Sequence, residues 1–145
     1  MPTNNPNHKT IEVGKFYFIH DGSKTGHPGF VIWKDDEKNL YIAIKFGSTS
    51  NAHNFPFGRA VGKRANQSFV YKRGFIGKRK DYSRTTLLDM HLYKNEIKSL
   101  LKKVDFVNLV YSSNINRKDK RHIKRLMGIK KSPFQGQLSG YETRK

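Results

Sequence analysis

Pro28-Gly29-Phe30-Val31-Ile32-Trp33, then Asp35-Asp36-Glu37-Lys38-Asn39, then Leu40-Tyr41-Ile42-Ala43-Ile44-Lys45-Phe46: two apolar runs around a short acidic turn. Runs of this length, rich in β-branched and aromatic residues and bounded by Gly, Pro, Asp and Asn, read as a β-hairpin. Upstream, Gly14-Lys15-Phe16-Tyr17-Phe18-Ile19-His20 is a further strand, closed by Asp21-Gly22-Ser23. Downstream, Gly47-Ser48-Thr49-Ser50-Asn51 ends the hairpin in a hydroxyl-rich loop. Residues 51–66 form a long connection carrying His53, Phe55 and Phe57, and a loop of that length commonly carries function. Ser68-Phe69-Val70-Tyr71 and Gly74-Phe75-Ile76-Gly77 read as short strands.

Residues 92–104 have helical period. Leu92, Ile97, Leu100, Leu101 and Val104 share one face, and Lys94, Lys98 and Lys102 cover the other. Residues 105–111 are apolar and too short to assign, and residues 118–127 read as a second, strongly basic helix. Strands in succession followed by a helix predict a mainly β, α+β fold. Its expected form is a small, strongly curved antiparallel sheet or partly closed barrel with a packing C-terminal helix. The expected organisation is a polar arm over 1–13, a domain over 14–113 and a basic extension over 114–145 that is separate from the barrel.

Charge points to the partner. The chain has 145 residues, with 29 Lys and Arg against 11 Asp and Glu, a net charge of +18. The excess is not spread evenly: residues 59–84 hold 9 basic and 1 acidic, and residues 114–145 hold 10 and 2. The segments around them are near neutral. Two localised electropositive blocks fit a phosphate backbone. The nucleic-acid contacts expected from them are Arg59, Lys63, Arg64, Lys72, Lys78, Lys80 and Arg84, with Lys120, Arg121, Lys124 and Arg125 in the second block. Phe69, Tyr71, Phe75 and Tyr82 interleave with the first block, a mixture suited to single strands, where bases stack on rings while cations track the backbone.

Several classes are excluded or disfavoured. With no cysteine there is neither a disulfide framework nor a thiolate metal site. The six histidines have no paired metal-ligand spacing, and no Gly-rich phosphate loop ends in Lys-Ser or Lys-Thr. No cofactor and no metal is therefore expected. No stretch approaches the roughly 18 apolar residues of a membrane span, and residues 1–9 lack the apolar run of a signal peptide. The expectation is a cytoplasmic protein with no membrane partner.

A metal-free chemistry remains. RNA is cut when a base takes the 2′-hydroxyl proton, the oxygen attacks phosphorus and an acid protonates the leaving 5′-oxygen. Imidazole is the side chain that exchanges protons near neutral pH, which singles out His27 at the start of a strand. Ser48, Thr49 and Ser50, at the end of the paired strand, are placed to donate to phosphate oxygens. Arg73, Lys78, Arg79 and Arg84 are placed to neutralise charge.

The order of these pieces over 14–104 resembles the MazF/PemK (Kid-like) toxin endoribonucleases. The likeness consists of the Gly-led first strand, the Pro-led second strand from Pro28, the Ser/Thr loop after the third, the Ser-led strand from Ser68, an Arg-containing stretch and the closing helix. Members commonly place Arg before that Pro and Thr or Ser after the third strand. Here His27 stands at the first position and Thr49 at the second. The resemblance implies a catalytic set of His27, Thr49, Arg73 and Arg79, single-stranded RNA as substrate, an acidic antitoxin as partner and a homodimer. A non-catalytic RNA- or DNA-binding module is the alternative, because a fold does not carry an activity with it. A duplex-DNA regulator is disfavoured by the lack of a helix-turn-helix pattern.

Overall fold

The computed structural model describes residues 11–22, 24, 26–61, 67–86, 90–112 and 115–129; the side chains of 83–86, 111–112 and 126–129 lie outside that description. The hairpin is its centre. Strand β2 (His27–Asp35) pairs antiparallel with β3 (Leu40–Gly47), with Gly29 opposite Lys45 and Asp35 opposite Leu40. The acidic turn closes on itself: Asp35 accepts the Lys38 N–H at 3.2 Å, and Asn39 takes the left-handed conformation at φ 57°. Asn tolerates that region better than other residues with a side chain, so the turn sits where its chemistry allows.

Strand β1 (Phe16–Ile19) lies on the outer side of β2, and β7 (Tyr82–Thr86) lies outside β1. The other edge of β3 is divided. Its first half, Leu40 to Ala43, pairs with β6 (Phe75–Lys78). Its end, Phe46 and Gly47, pairs with β5 (Phe69–Tyr71), and β5 in turn pairs with β4 (Asn54–Pro56). All these pairings are antiparallel, and among the described residues the sheet stays open, with β4 and β7 at its ends. The chain between β5 and β6 must turn hard against β3. Gly74 makes that possible: its φ is 78°, and a Cβ there would meet the Ala43 carbonyl oxygen at 2.7 Å.

Alternation along the strands produces two faces. Phe16, Phe30, Ile32, Ile42, Ile44 and Phe46 point to the larger core. There they meet helix α1 (Lys94–Lys103) through Ile97 and Leu100, helix α2 (Phe106–Ser112) through Phe106, Leu109 and Val110, and helix α3 (Arg117–Ile129) through Ile123. Tyr17, Ile19, Val31, Tyr41, Ala43 and Tyr82 form a smaller core on the opposite face. Both faces are buried, which is why the strands read as nearly continuous apolar runs rather than as alternating ones.

The α+β class expected from sequence is what the chain adopts, a mainly antiparallel sheet with three helices among the described residues. Three elements differ from expectation, the first being β4, which lies inside the expected long connection over 51–66. Strand β7 was hidden in the polar run Tyr-Ser-Arg-Thr-Thr, and α2 in a stretch only seven residues long. The larger correction concerns 114–145: its first part is not separate from the domain. On α3, Ile123 is 1% exposed within the main core and Asp119 is buried. Asp119 accepts from Lys78 Nζ at 3.1 Å, and His122 Nε2 stands 2.9 Å from Asp35 of the hairpin turn. A few apolar side chains suffice to dock a helix when its period sets them on one face.

Helix α1 is anchored to the sheet loops by charge. Arg59 grips Glu96 with two bonds of 2.7 and 2.8 Å, and Glu96 also accepts the Tyr93 N–H at 2.8 Å. Burial alone pushes the Glu96 carboxyl up, but the Arg59 guanidinium and the Tyr93 N–H outweigh it and hold the carboxyl below the usual range. A group depressed in the folded state stabilises above its unfolded value, about 4.3 for Glu, and loses that contribution as pH falls through the folded value. Denaturant midpoints measured down a pH series should therefore fall more steeply below about pH 4 for the wild type than for Glu96→Gln.

Candidate functional site

The division of β3 between β5 and β6 opens a groove of about 1040 Å³. Backbone bonds fix its floor. The turn residue Lys72 donates its N–H to the His53 carbonyl at 2.8 Å, and its own carbonyl accepts the Asp105 N–H at 2.7 Å. Lys45, Lys72, Arg73, Lys78 and Lys80 line the groove, against three carboxylates. Those carboxylates have local partners. Asp81 accepts the Lys78 N–H at 2.9 Å, Asp105 caps Asn108 at 3.0 Å, and Asp21 pairs with Lys45 at 2.8 Å. Lys72 Nζ donates to the neutral Ala52 carbonyl at 3.1 Å, so its charge stays available to an anion.

One end of the groove carries a compact polar cluster on the face of the smaller core. Asp21 Oδ2 accepts from Lys45 Nζ at 2.8 Å and lies 2.8 Å from His27 Nδ1. The Asp21 side chain is only 6% exposed, those of Lys45 and His27 16% and 20%. On the other side of the ring, His27 Nε2 is 3.2 Å from the Tyr71 hydroxyl, and the two rings meet edge-on with centroids 5.1 Å apart. Lys45 Nζ stands 4.4 Å from the centre of the Tyr71 ring, a cation–π contact. Strand register explains the gathering. Ile19 pairs with His27, so Asp21 follows two residues beyond on the adjacent chain. Lys45 and Gly47 project to the same face of β3, and Gly47 leaves the space that Tyr71 fills: a Cβ there would meet the tyrosine ring at 2.9 Å.

The expected catalytic set is only partly assembled. His27 is in the cluster and Arg73 lines the same groove. Thr49 is exposed, in a loop held by Asn54, whose Nδ2 donates to the Thr49 carbonyl at 3.0 Å. His27 does not face the Ser48 and Thr49 hydroxyls, since its ring nitrogens are engaged by Asp21 and Tyr71. Arg79 belongs to the 3-10 turn Arg79–Asp81 and hydrogen-bonds the buried Tyr41 hydroxyl. It supports the sheet rather than joining His27.

Of the expected nucleic-acid contacts, Lys72, Lys78 and Lys80 line the groove, although Lys78 is also tied to Asp119. Arg59 is spent on Glu96 and stacks against Phe57 and Tyr93, each about 5.3 Å away. Arg121, Lys124 and Arg125 are exposed on α3, and Lys120 is partly covered. Lys63 and Arg64 lie outside the described residues, as does the side chain of Arg84. Asp21 and Lys45 escaped the sequence reading, and Tyr71 entered it only as one of the rings interleaved with the basic residues. Lys45 did leave a signal: it is the one charged residue in Leu40–Gly47.

Among the described residues no three or more His, Asp and Glu side chains gather closely enough to hold a metal ion, and no helix is long and apolar enough to cross a membrane. Comparison with family models, with curated proteins and with solved structures finds no match to this chain.

Proposed function

We propose that this protein binds single-stranded RNA in the basic groove and cleaves it through the 2′-hydroxyl without a metal ion, as an endoribonuclease of the MazF/PemK-like kind. The observation that carries the reading is the coincidence of two features. A groove lined by Lys45, Lys72, Arg73, Lys78 and Lys80 ends at Asp21 and Tyr71, which hold the His27 imidazole between them just behind its wall. Cations hold a phosphodiester and offset the charge that builds on phosphorus, and an oriented imidazole manages the proton. On this reading the bent sheet is a partly closed barrel of that kind, the protein is cytoplasmic, and its partners are an acidic antitoxin and a second copy of itself.

A non-catalytic binding module is the second reading. It is favoured by the position of Thr49 and by the engagement of Arg79 with Tyr41, which leave the family's expected set incomplete. The deciding experiment incubates purified protein with a long unstructured RNA and a magnesium chelator. Cleavage to 2′,3′-cyclic phosphate ends supports the enzyme. Binding without cleavage supports the module and ends the enzyme reading.

The groove's part in affinity is tested separately. The joint Lys72→Ala, Arg73→Ala and Lys80→Ala variant should show a flatter slope of log affinity against log salt, by about 0.7 for each single-strand phosphate no longer neutralised. Filter binding over a salt series reads the slope, and an unchanged slope removes the groove from the interface. Lys78 is left intact, because its bond to Asp119 would confuse a binding defect with loss of α3 docking.

A further inference from the structure

We infer that Tyr71 is the residue that exchanges the proton with RNA, and that Asp21 and His27 are positioning residues acting through it. The assignment rests on the cleavage reading above and adds to it the identity of the group that touches substrate. Asp21, Lys45 and Tyr71 line the groove, whereas His27 does not. An imidazole withheld from the groove reaches a bound phosphodiester through the side chain on its far nitrogen, and that side chain is Tyr71.

The direction of each hydrogen bond follows from donor and acceptor chemistry. The Asp21 carboxylate only accepts, so the neutral ring carries its proton on Nδ1 and presents a lone pair at Nε2. The Tyr71 hydroxyl then donates to Nε2, which leaves its oxygen able to accept a further hydrogen bond, and Tyr71 lines the groove. When the 2′-hydroxyl approaches that oxygen, its proton passes to Tyr71 while the Tyr71 proton passes to Nε2. The 2′-oxygen forms its bond to phosphorus, the bond from phosphorus to the 5′-oxygen breaks, and the departing oxygen takes a proton from water. The products are a 2′,3′-cyclic phosphate, a free 5′-hydroxyl and an imidazolium held by the Asp21 carboxylate. That imidazolium then returns its proton to solvent, and the neutral ring is restored.

Lys45 contributes at two points. Its ammonium bonds Asp21 and lies over the Tyr71 ring, so it favours negative charge on both. Gly47 completes the arrangement by leaving the tyrosine room to sit against the strand.

The test compares wild type, Tyr71→Phe, His27→Ala and the combined variant, on the full chain. Three measurements are made: RNA cleavage with chelator present, RNA binding, and nitrogen-15 shifts of the imidazoles. Tyr71→Phe keeps the ring over Gly47 and is expected to fold and to bind RNA within about twofold of wild type. Its cleavage should fall about a hundredfold. The double variant should be no slower than His27→Ala alone, since groups in one relay lose their effects together. The shifts should show neutral His27 protonated at Nδ1, with the Nε2 resonance moving when the Tyr71 hydroxyl is removed. Gly47→Ala, which crowds the ring without deleting the hydroxyl, should slow cleavage in the same direction. Wild type that cuts while Tyr71→Phe cuts equally fast overturns the Tyr71 assignment and leaves the enzyme standing. A neutral His27 protonated at Nε2 overturns the relay. Wild type that binds and never cuts overturns both this inference and the cleavage reading.

Discussion

Replacing His27 by Ala is expected to lower RNA cleavage by roughly two to four powers of ten while leaving RNA affinity almost unchanged. The separation follows from where the two contributions lie. Affinity comes from cations spread along the groove, and His27 does not line it. Its ring acts on the proton, so its loss is felt in the transition state and hardly in the bound ground state. The ring is also partly enclosed, against Asp21 on one side and Tyr71 on the other, and removing it leaves the Lys45–Asp21 ion pair in place. That remaining ion pair is why the variant should stay folded. Cleavage that survives His27→Ala at full rate would show that the proton is handled elsewhere, whatever becomes of the groove.

Ile123→Ala should destabilise the whole domain by about 2–5 kcal/mol, the range for emptying a fully buried aliphatic site. Ile123 is 1% exposed and joins the same core as Ile42, Leu100 and Leu109. At roughly 2–4 °C per kcal/mol for a chain approaching this size, the shift in Tm is easily read by calorimetry. Truncation after residue 113 should do more. It removes Ile123 from the core and strips Asp119 from Lys78 and His122 from Asp35, which uncovers one end of the hairpin. A truncated protein that unfolds cooperatively at the wild-type temperature would return α3 to the status of an attached arm. The exposed basic residues Arg121, Lys124 and Arg125 would then contribute affinity without being held in register to the groove.

The hairpin, the acidic turn, the first strand, the apolar face of α1 and the two blocks of charge were all legible in the amino-acid order. These are local properties, set by the period of apolar residues and by turn chemistry within a few positions. His27 stood out for the same kind of reason, from its type and its place at a strand start. Strand β7 and helix α2 were not legible, because one is polar in sequence and stabilised by pairing with β1, and the other is short and stabilised by packing its Phe106, Leu109 and Val110. The partners of His27 were beyond reach as well. Asp21 is six residues away and Tyr71 forty-four, and only the pairing of β1 with β2, and of β3 with β5, brings both to the imidazole. Long-range packing likewise committed Arg59 and Arg79, indistinguishable by composition from Lys72 and Arg73, to Glu96 and Tyr41. A cation's role depends on which acceptor the fold sets within about 3 Å of it, and that distance is settled by residues far apart in the chain.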